Sequence, residues 1–179
     1  MIKIIKILGS LLILFALLFP FLIFSLEKVN NYQYEVVLDQ NMQDNNYYGV
    51  LEIAKIDFKR EFYEINSSEN NVNKNVMLHE ASVLPGEERS NIILAAHSGN
   101  SSSAYFKDLY QLEVKDAIFV YYQGKKWTYE IQEIEYQDKT GILYLKEDYP
   151  DMITLITCTK NDSDTQTIYY GVLKKSQNI

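Results

Sequence analysis

Residues 118–136 read IFVYYQGKKWTYEIQEIEY. Two runs rich in aromatic and β-branched residues flank Gln123-Gly124-Lys125, and a Gly-containing connection of that length predicts a β-hairpin. In the second run Trp127, Tyr129 and Ile131 share one face of a strand, whereas Ile134 and Tyr136 have the opposite parity. That change of parity predicts a bulge or bend between Ile131 and Ile134. Similar segments recur on both sides of the hairpin. GVLEI (49–53) and KREFYEI (59–65) predict two strands joined by a turn near Asp57, and IILAA (92–96) a short buried strand. MITLIT (152–157) predicts a further strand and TIYYGVL (167–173) the last. Pro85-Gly86 marks a turn. AYFKDLYQL (104–112) fits a short amphipathic helix, and the polar residues 67–75 a short helix or a loop. About seven or eight short strands with little helix, over on the order of 130 residues, predict an all-β barrel or sandwich with one core.

The whole chain has 179 residues, a formal net charge of −7 and one cysteine. With 47% hydrophobic and 13% aromatic residues it is too apolar for intrinsic disorder. A single cysteine excludes an internal disulfide framework and any multi-cysteine zinc or iron–sulfur centre. The acidic balance argues against nucleic acid as a partner, because phosphate binding needs a basic face. No phosphate-binding glycine loop is present, so nucleotide hydrolysis has no support.

Residues 7–26, ILGSLLILFALLFPFLIFSL, contain no charge. A run of that length is enough to cross a hydrocarbon core of roughly 30 Å. Lys3 and Lys6 precede it and Glu27 follows, which predicts a cytoplasmic N-terminus and an exterior remainder. A cleaved signal peptide is the competing reading; its apolar core is usually only about 7–15 residues and ends in small residues, which FLIFSLEKV lacks. The expected organisation is therefore a stub and single-pass anchor over 1–26, a polar stalk over 27–46 and a folded domain over 47–176.

Two side chains carry the chemistry. His97 follows the apolar run IILAA, and Cys158 ends MITLIT. Each is placed where a buried strand emerges into a loop, on a rigid support and within reach of solvent. A thiol is nucleophilic as thiolate, and an imidazole beside it can take the proton and later deliver it to a leaving amine. The competing readings are a buried inert cysteine and a histidine satisfied at the surface.

NIILAAHSGN (91–100) and TLITCT (154–159), behind an N-terminal apolar anchor, resemble the sortases, a family of bacterial membrane-anchored cysteine transpeptidases. GVLEIAKIDF (49–58) and LHEASVLPGE (78–87) extend the likeness over residues 47–173. The resemblance implies an eight-stranded closed β-barrel with short helices. It implies that Cys158 attacks the Thr–Gly bond of an LPXTG-like C-terminal sorting signal and forms a thioacyl intermediate. An amine of a cell-wall precursor or a pilin then resolves that intermediate, with His97 as general acid and base. The implied partners are a surface protein bearing the signal, the acceptor amine and the membrane, in a Gram-positive cell envelope with the catalytic domain outside. No cofactor is implied.

One position departs from the family pattern. Sortases carry an arginine on the strand after the cysteine, and that place falls at Gln166 and Thr167 here. The two arginines of the chain, Arg60 and Arg89, both precede Cys158. Loss of a donor to a developing oxyanion costs about 2.7–4 kcal/mol. A neutral hydrogen bond from Gln166 or Thr167, another cation or backbone amides, and impaired catalysis are the three explanations. Impaired catalysis corresponds to a peptide-binding module of the same fold; a hydrolase would use the same Cys–His pair. Thr157 is a further candidate for positioning substrate or the oxyanion. His79 is a candidate groove residue, with a half-buried structural histidine as its competing reading. Asn161-Asp162-Ser163-Asp164 lacks the glycine and distal glutamate of a calcium loop and reads as solvated, so metal ligands are expected to be none.

Overall fold

The computed structural model describes residues 47–146 and 148–179, together with Phe15, Phe19 and Pro20. Apart from those three residues, the expected anchor over 7–26 and stalk over 27–46 lie outside the described residues. Among the described residues no helix is long and apolar enough to cross a membrane.

Eight strands make one sheet: β1 Gly49–Ile53, β2 Phe58–Phe62, β3 Met77–Leu78, β4 Asn91–Ala95, β5 Ala117–Tyr122, β6 Lys125–Asp138, β7 Met152–Cys158 and β8 Thr165–Asn178. They belong to a compact unit, Asn45–Ile179. The order is β2-β1-β5-β6-β8-β7-β4-β3. Every neighbouring pair is antiparallel except β4 and β7, which run parallel. A bridge between Phe62 at the end of β2 and Val76 just before β3 joins the two edges, leaving a nearly closed barrel. Closure removes the unpaired strand edges that an open sheet would expose.

The expected hairpin is β5–β6. Its register pairs Tyr122 with Lys125, so the turn is Gln123-Gly124 alone and Lys125 belongs to the strand. Both turn residues have positive φ, 50° and 67°, as a two-residue turn matched to strand twist requires. The β6–β8 register shifts between Ile131 and Glu133, where the parity of the apolar residues changes. Asp57 also has the left-handed conformation expected of a turn, with φ of 49°.

Three segments differ from the sequence expectations. Residues 104–112 form no amphipathic helix; only Leu109–Gln111 make a short 3-10 turn. The buried residues Phe106, Leu109 and Leu112 are spaced by three, which suits 3-10 geometry. The Phe106 N–H is donated to His97 O at 2.9 Å rather than along a helix. The strand expected over 59–65 ends at Phe62. The last strand is longer than 167–173, because pairing with the long β6 supports it from Thr165 to Asn178.

Period-two alternation divides the parallel β4–β7 pair between two apolar regions. Ile92, Leu94, Ile153 and Leu155 point into the barrel core with Leu51, Ile118 and Tyr129. Ile93, Met152 and Ile156 point to the outer face, where they pack with Ile168 and Tyr170 of β8. Leu143, Leu145 and Tyr149 lie over that outer cluster. A fully buried side chain of this size contributes about 1.5–3 kcal/mol, so both faces of the pair hold it in place.

Candidate active site

The β4–β7 register sets the site. Asn91 pairs with Met152 and Ala95 with Ile156. The same offset, carried two residues further, sets His97 beside Cys158. Side-chain hydrogen bonds pin the pair at both ends. At the start, Ser90 Oγ donates to Asp151 Oδ1 at 3.0 Å, and Thr154 Oγ1 to Asn91 Oδ1 at 2.9 Å. At the far end, Thr157 Oγ1 donates to Ala96 O at 2.8 Å, and Ser98 Oγ to Cys158 O at 2.7 Å. Ala96 N also donates to Ile156 O at 3.3 Å.

Both candidates are half-buried. They line one cleft of about 880 Å³ with Asn73, Ser98, Lys139 and the loop after β7. No hydrogen bond joins the imidazole to the thiol in this structure. The His97 ring Nε2 lies 3.1 Å from Asn73 Oδ1. An amide oxygen only accepts, so this arrangement holds the proton on Nε2. Cys158 Sγ accepts from Lys139 Nζ at 3.1 Å. Asp162 lines the same cleft. The Asp164 N–H, which it accepts at 2.9 Å, holds its carboxyl below the usual carboxylate range, with help from Thr165 and Lys139.

The other expected residues divide by face. Cys158 pairs with Gln166 and Thr157 with Thr167. Directly paired residues of an antiparallel ladder point to the same side, and neighbours along a strand to opposite sides. Gln166 therefore shares the outer face with Cys158. Thr157 and Thr167 point inward and are buried at 6% and 4% exposure. The Thr167 hydroxyl bonds that of Thr159 at 2.9 Å. Their inward direction gives both threonines a structural place rather than one facing the thiol. His79 lies just after β3, donating its N–H to Ile93 O and accepting from Ala81 N on Nδ1 at 3.1 Å. It does not line the cleft that holds Cys158.

Lys139, Asn73 and Ser98 were not singled out by the sequence. The motif LAAHSG put Ser98 next to the histidine, and its polar type was the only signal available. Asn73 and Lys139 reach the cleft from distant loops, for which no local pattern exists. Among the described residues no group of three or more His, Cys, Asp or Glu is placed to hold a metal ion.

The family profile of the sortase domain matches residues 51–174. The chain belongs to the sortase family. This sortase is thus a cysteine transpeptidase, and it carries a single cysteine. Its barrel is similar to that of sortase E1 from Streptomyces coelicolor, solved with a tripeptide in the active site, at 24% identity and TM-score 0.64. That likeness covers 74% of this chain and 91% of the other. Sortase C of Streptococcus pneumoniae gives 22% identity and TM-score 0.65 over 75% of this chain and 72% of the other. Sortase A of Listeria monocytogenes gives 20% and 0.62 over 75% and 92%. No curated protein matches the chain.

Proposed function

We propose that Cys158 is the nucleophile of this transpeptidase and His97 its general acid and base. The observation that supports the reading is the pairing of β4 with β7, beyond whose last pair His97 and Cys158 line one cleft. Cys158 gives its proton to the imidazole, and the thiolate forms a bond to the scissile carbonyl carbon. The carbonyl electron pair moves to oxygen. Collapse of that adduct breaks the C–N bond, and the departing amine takes the proton back from His97. A second amine reverses these steps and releases the thiol. The imidazole must turn from Asn73 toward the sulfur for the first transfer, a rotation about side-chain bonds only.

The substrate in this reading is an LPXTG-like C-terminal sorting signal of a surface protein. The acceptor is an amine of a cell-wall precursor or a pilin. The uncharged run 7–26 supports a single-pass anchor in the cell membrane of a Gram-positive cell, with the N-terminus cytoplasmic and the barrel outside.

Intact-mass analysis of the protein with an LPXTG-type peptide, with and without an oligoglycine amine, tests this reading. An acyl adduct that forms on the wild type, is consumed faster by amine than by water, and is absent from Cys158→Ala is the expected result. His97→Ala should slow acylation by about 10²–10⁴. A folded wild type that binds the peptide but forms no adduct would instead make the barrel a peptide-binding module.

A further inference from the structure

The cleft holds a cation that strand pairing brings to the sulfur. Lys139 directly follows β6. Its Nζ lies 3.1 Å from Cys158 Sγ and donates to Ser163 O at 2.8 Å. Its backbone N–H donates to Asp164 O at 2.8 Å. The loop between β7 and β8 thus grips both ends of this side chain, and its tip is aimed at the thiol. Neither arginine lines the cleft. Arg60 lies on β2 with its guanidinium over the Tyr105 ring, 4.5 Å from the centroid. Lys160 does line the cleft, but its Nζ is against the Tyr110 ring, 3.1 Å from the centroid. The residue paired with Cys158 on β8 is the neutral Gln166.

We propose that Lys139 is the catalytic cation of this site, holding the Cys158 thiolate and then the oxyanion that forms beside it. The assignment rests on Cys158 being the nucleophile, as argued above. Bond formation from Sγ to the carbonyl carbon carries the negative charge from sulfur to the carbonyl oxygen, two bonds away. An ammonium on a flexible four-carbon stem has three donors and follows that short displacement. One donor remains on Ser163 O, which leaves two for the sulfur and the oxyanion. Lys139 takes no part in the proton transfer: the proton that moves is the one exchanged between Cys158, His97 and the amine. The charge reaches the sulfur from the β6 end, so the β8 position can be neutral.

The chain has one cysteine, so alkylation of the full-length protein reads Cys158 alone. Iodoacetate and iodoacetamide differ in charge but little in size, and the ratio of their rates reports the field at the sulfur. Lys139→Met should lower the iodoacetate-to-iodoacetamide ratio at least about fivefold by removing a cation in contact with the sulfur. It should lower kcat for peptide acylation by about 10²–10³, with KM changed by less than about threefold. Lys139→Arg keeps the charge and should restore the ratio and most of kcat. Lys125→Met removes an equal charge at the opposite end of β6 and should alter neither. Circular dichroism confirms that each variant is folded. A folded Lys139→Met protein with the wild-type ratio and a kcat within about twofold of wild type overturns the proposal. So does an equal loss of kcat in the Met and Arg variants with the ratio unmoved, which would make Lys139 only a tie to the loop. If the wild type acylates no peptide, the reading of the reaction falls, while the alkylation ratio still decides whether Lys139 is the cation at the sulfur.

Discussion

Thr157 donates its buried hydroxyl to the carbonyl of Ala96 at 2.8 Å, from one strand of the parallel pair to the residue before His97. The bond lies just past the last paired residues of the two strands, Ala95 and Ile156. Thr157→Val keeps the shape and leaves the Ala96 carbonyl short of a donor. It should destabilise the barrel by about 1–3 kcal/mol, read as a lower denaturant midpoint at unchanged slope. Thr157→Ser keeps the hydroxyl and should recover most of that loss. A Val variant as stable as wild type would mean that the bond contributes nothing to the pairing.

Asn73 Oδ1 meets His97 Nε2 at 3.1 Å and fixes which ring nitrogen holds the proton. Asn73 is exposed, so its removal should cost little stability. Under the proposed mechanism, Asn73→Ala should lower kcat about tenfold, less than the 10²–10⁴ lost with the imidazole itself. Steady-state acylation kinetics beside a thermal melt separate the two effects. An unchanged kcat would show that the imidazole is oriented by other contacts.

Gly171 on β8 pairs with both Ile131 and Ile153. A Cβ at this position would lie 2.7 Å from Ile153 Cγ2 and 3.4 Å from Tyr129 Cβ. Both neighbours are fully buried and cannot withdraw. Gly171→Ala should therefore cost about 1–3 kcal/mol by overpacking, measured by chemical denaturation. A neutral result would mean that β8 can shift outward at this point.

Burial opposes the ionisation of two core tyrosines and raises their pKa. The Tyr169 phenol is pushed up to about 12 by desolvation, with Tyr136 adding to it. Desolvation, then the nearby Asp151, carries Tyr129 higher still. A raised acid pKa leaves stability whole below pH 10, the ordinary tyrosine value. Above it the unfolded chain ionises first, and stability falls as the pH rises toward 12. The melting temperature should thus drop steeply above about pH 10, and less steeply in Tyr129→Phe. The Tyr129 hydroxyl has no hydrogen-bond partner in the core. The same variant should consequently gain about 1 kcal/mol at neutral pH. Melting curves from pH 7 to 11 test both expectations; a loss at neutral pH would show that the hydroxyl is satisfied by water.

Much of the strand inventory is local and therefore readable. Alternation and turn residues locate β1, β4, the β5–β6 hairpin and β7, and the parity change after Ile131 marks the bulge. Placing His97 and Cys158 at strand ends needs no more than those runs. Thr157, a sequence candidate for positioning substrate or the oxyanion, is turned to the core by the same alternation that faces Cys158 to the cleft. Other features have no local signature. β3 is two residues long, and the amide of Asn70 takes the place of a neighbouring strand there: Leu78 N donates to Asn70 Oδ1 at 2.7 Å, and Asn70 Nδ2 to Leu78 O at 2.9 Å.

By itself the sequence determined the all-β class, the strand ends that carry His97 and Cys158, and the absence of an arginine after the cysteine. Periodicity and turn chemistry act over a few residues, so one chain read in order displays them. The tertiary structure decided which strands meet. The parallel register of β4 on β7 brings together residues 61 apart, and the pairing of Asp138 with Thr165 delivers the next residue, Lys139, to the sulfur. Such contacts arise from burying two faces of a sheet at once and closing its edges. They depend on the whole barrel, and no short stretch of sequence encodes them.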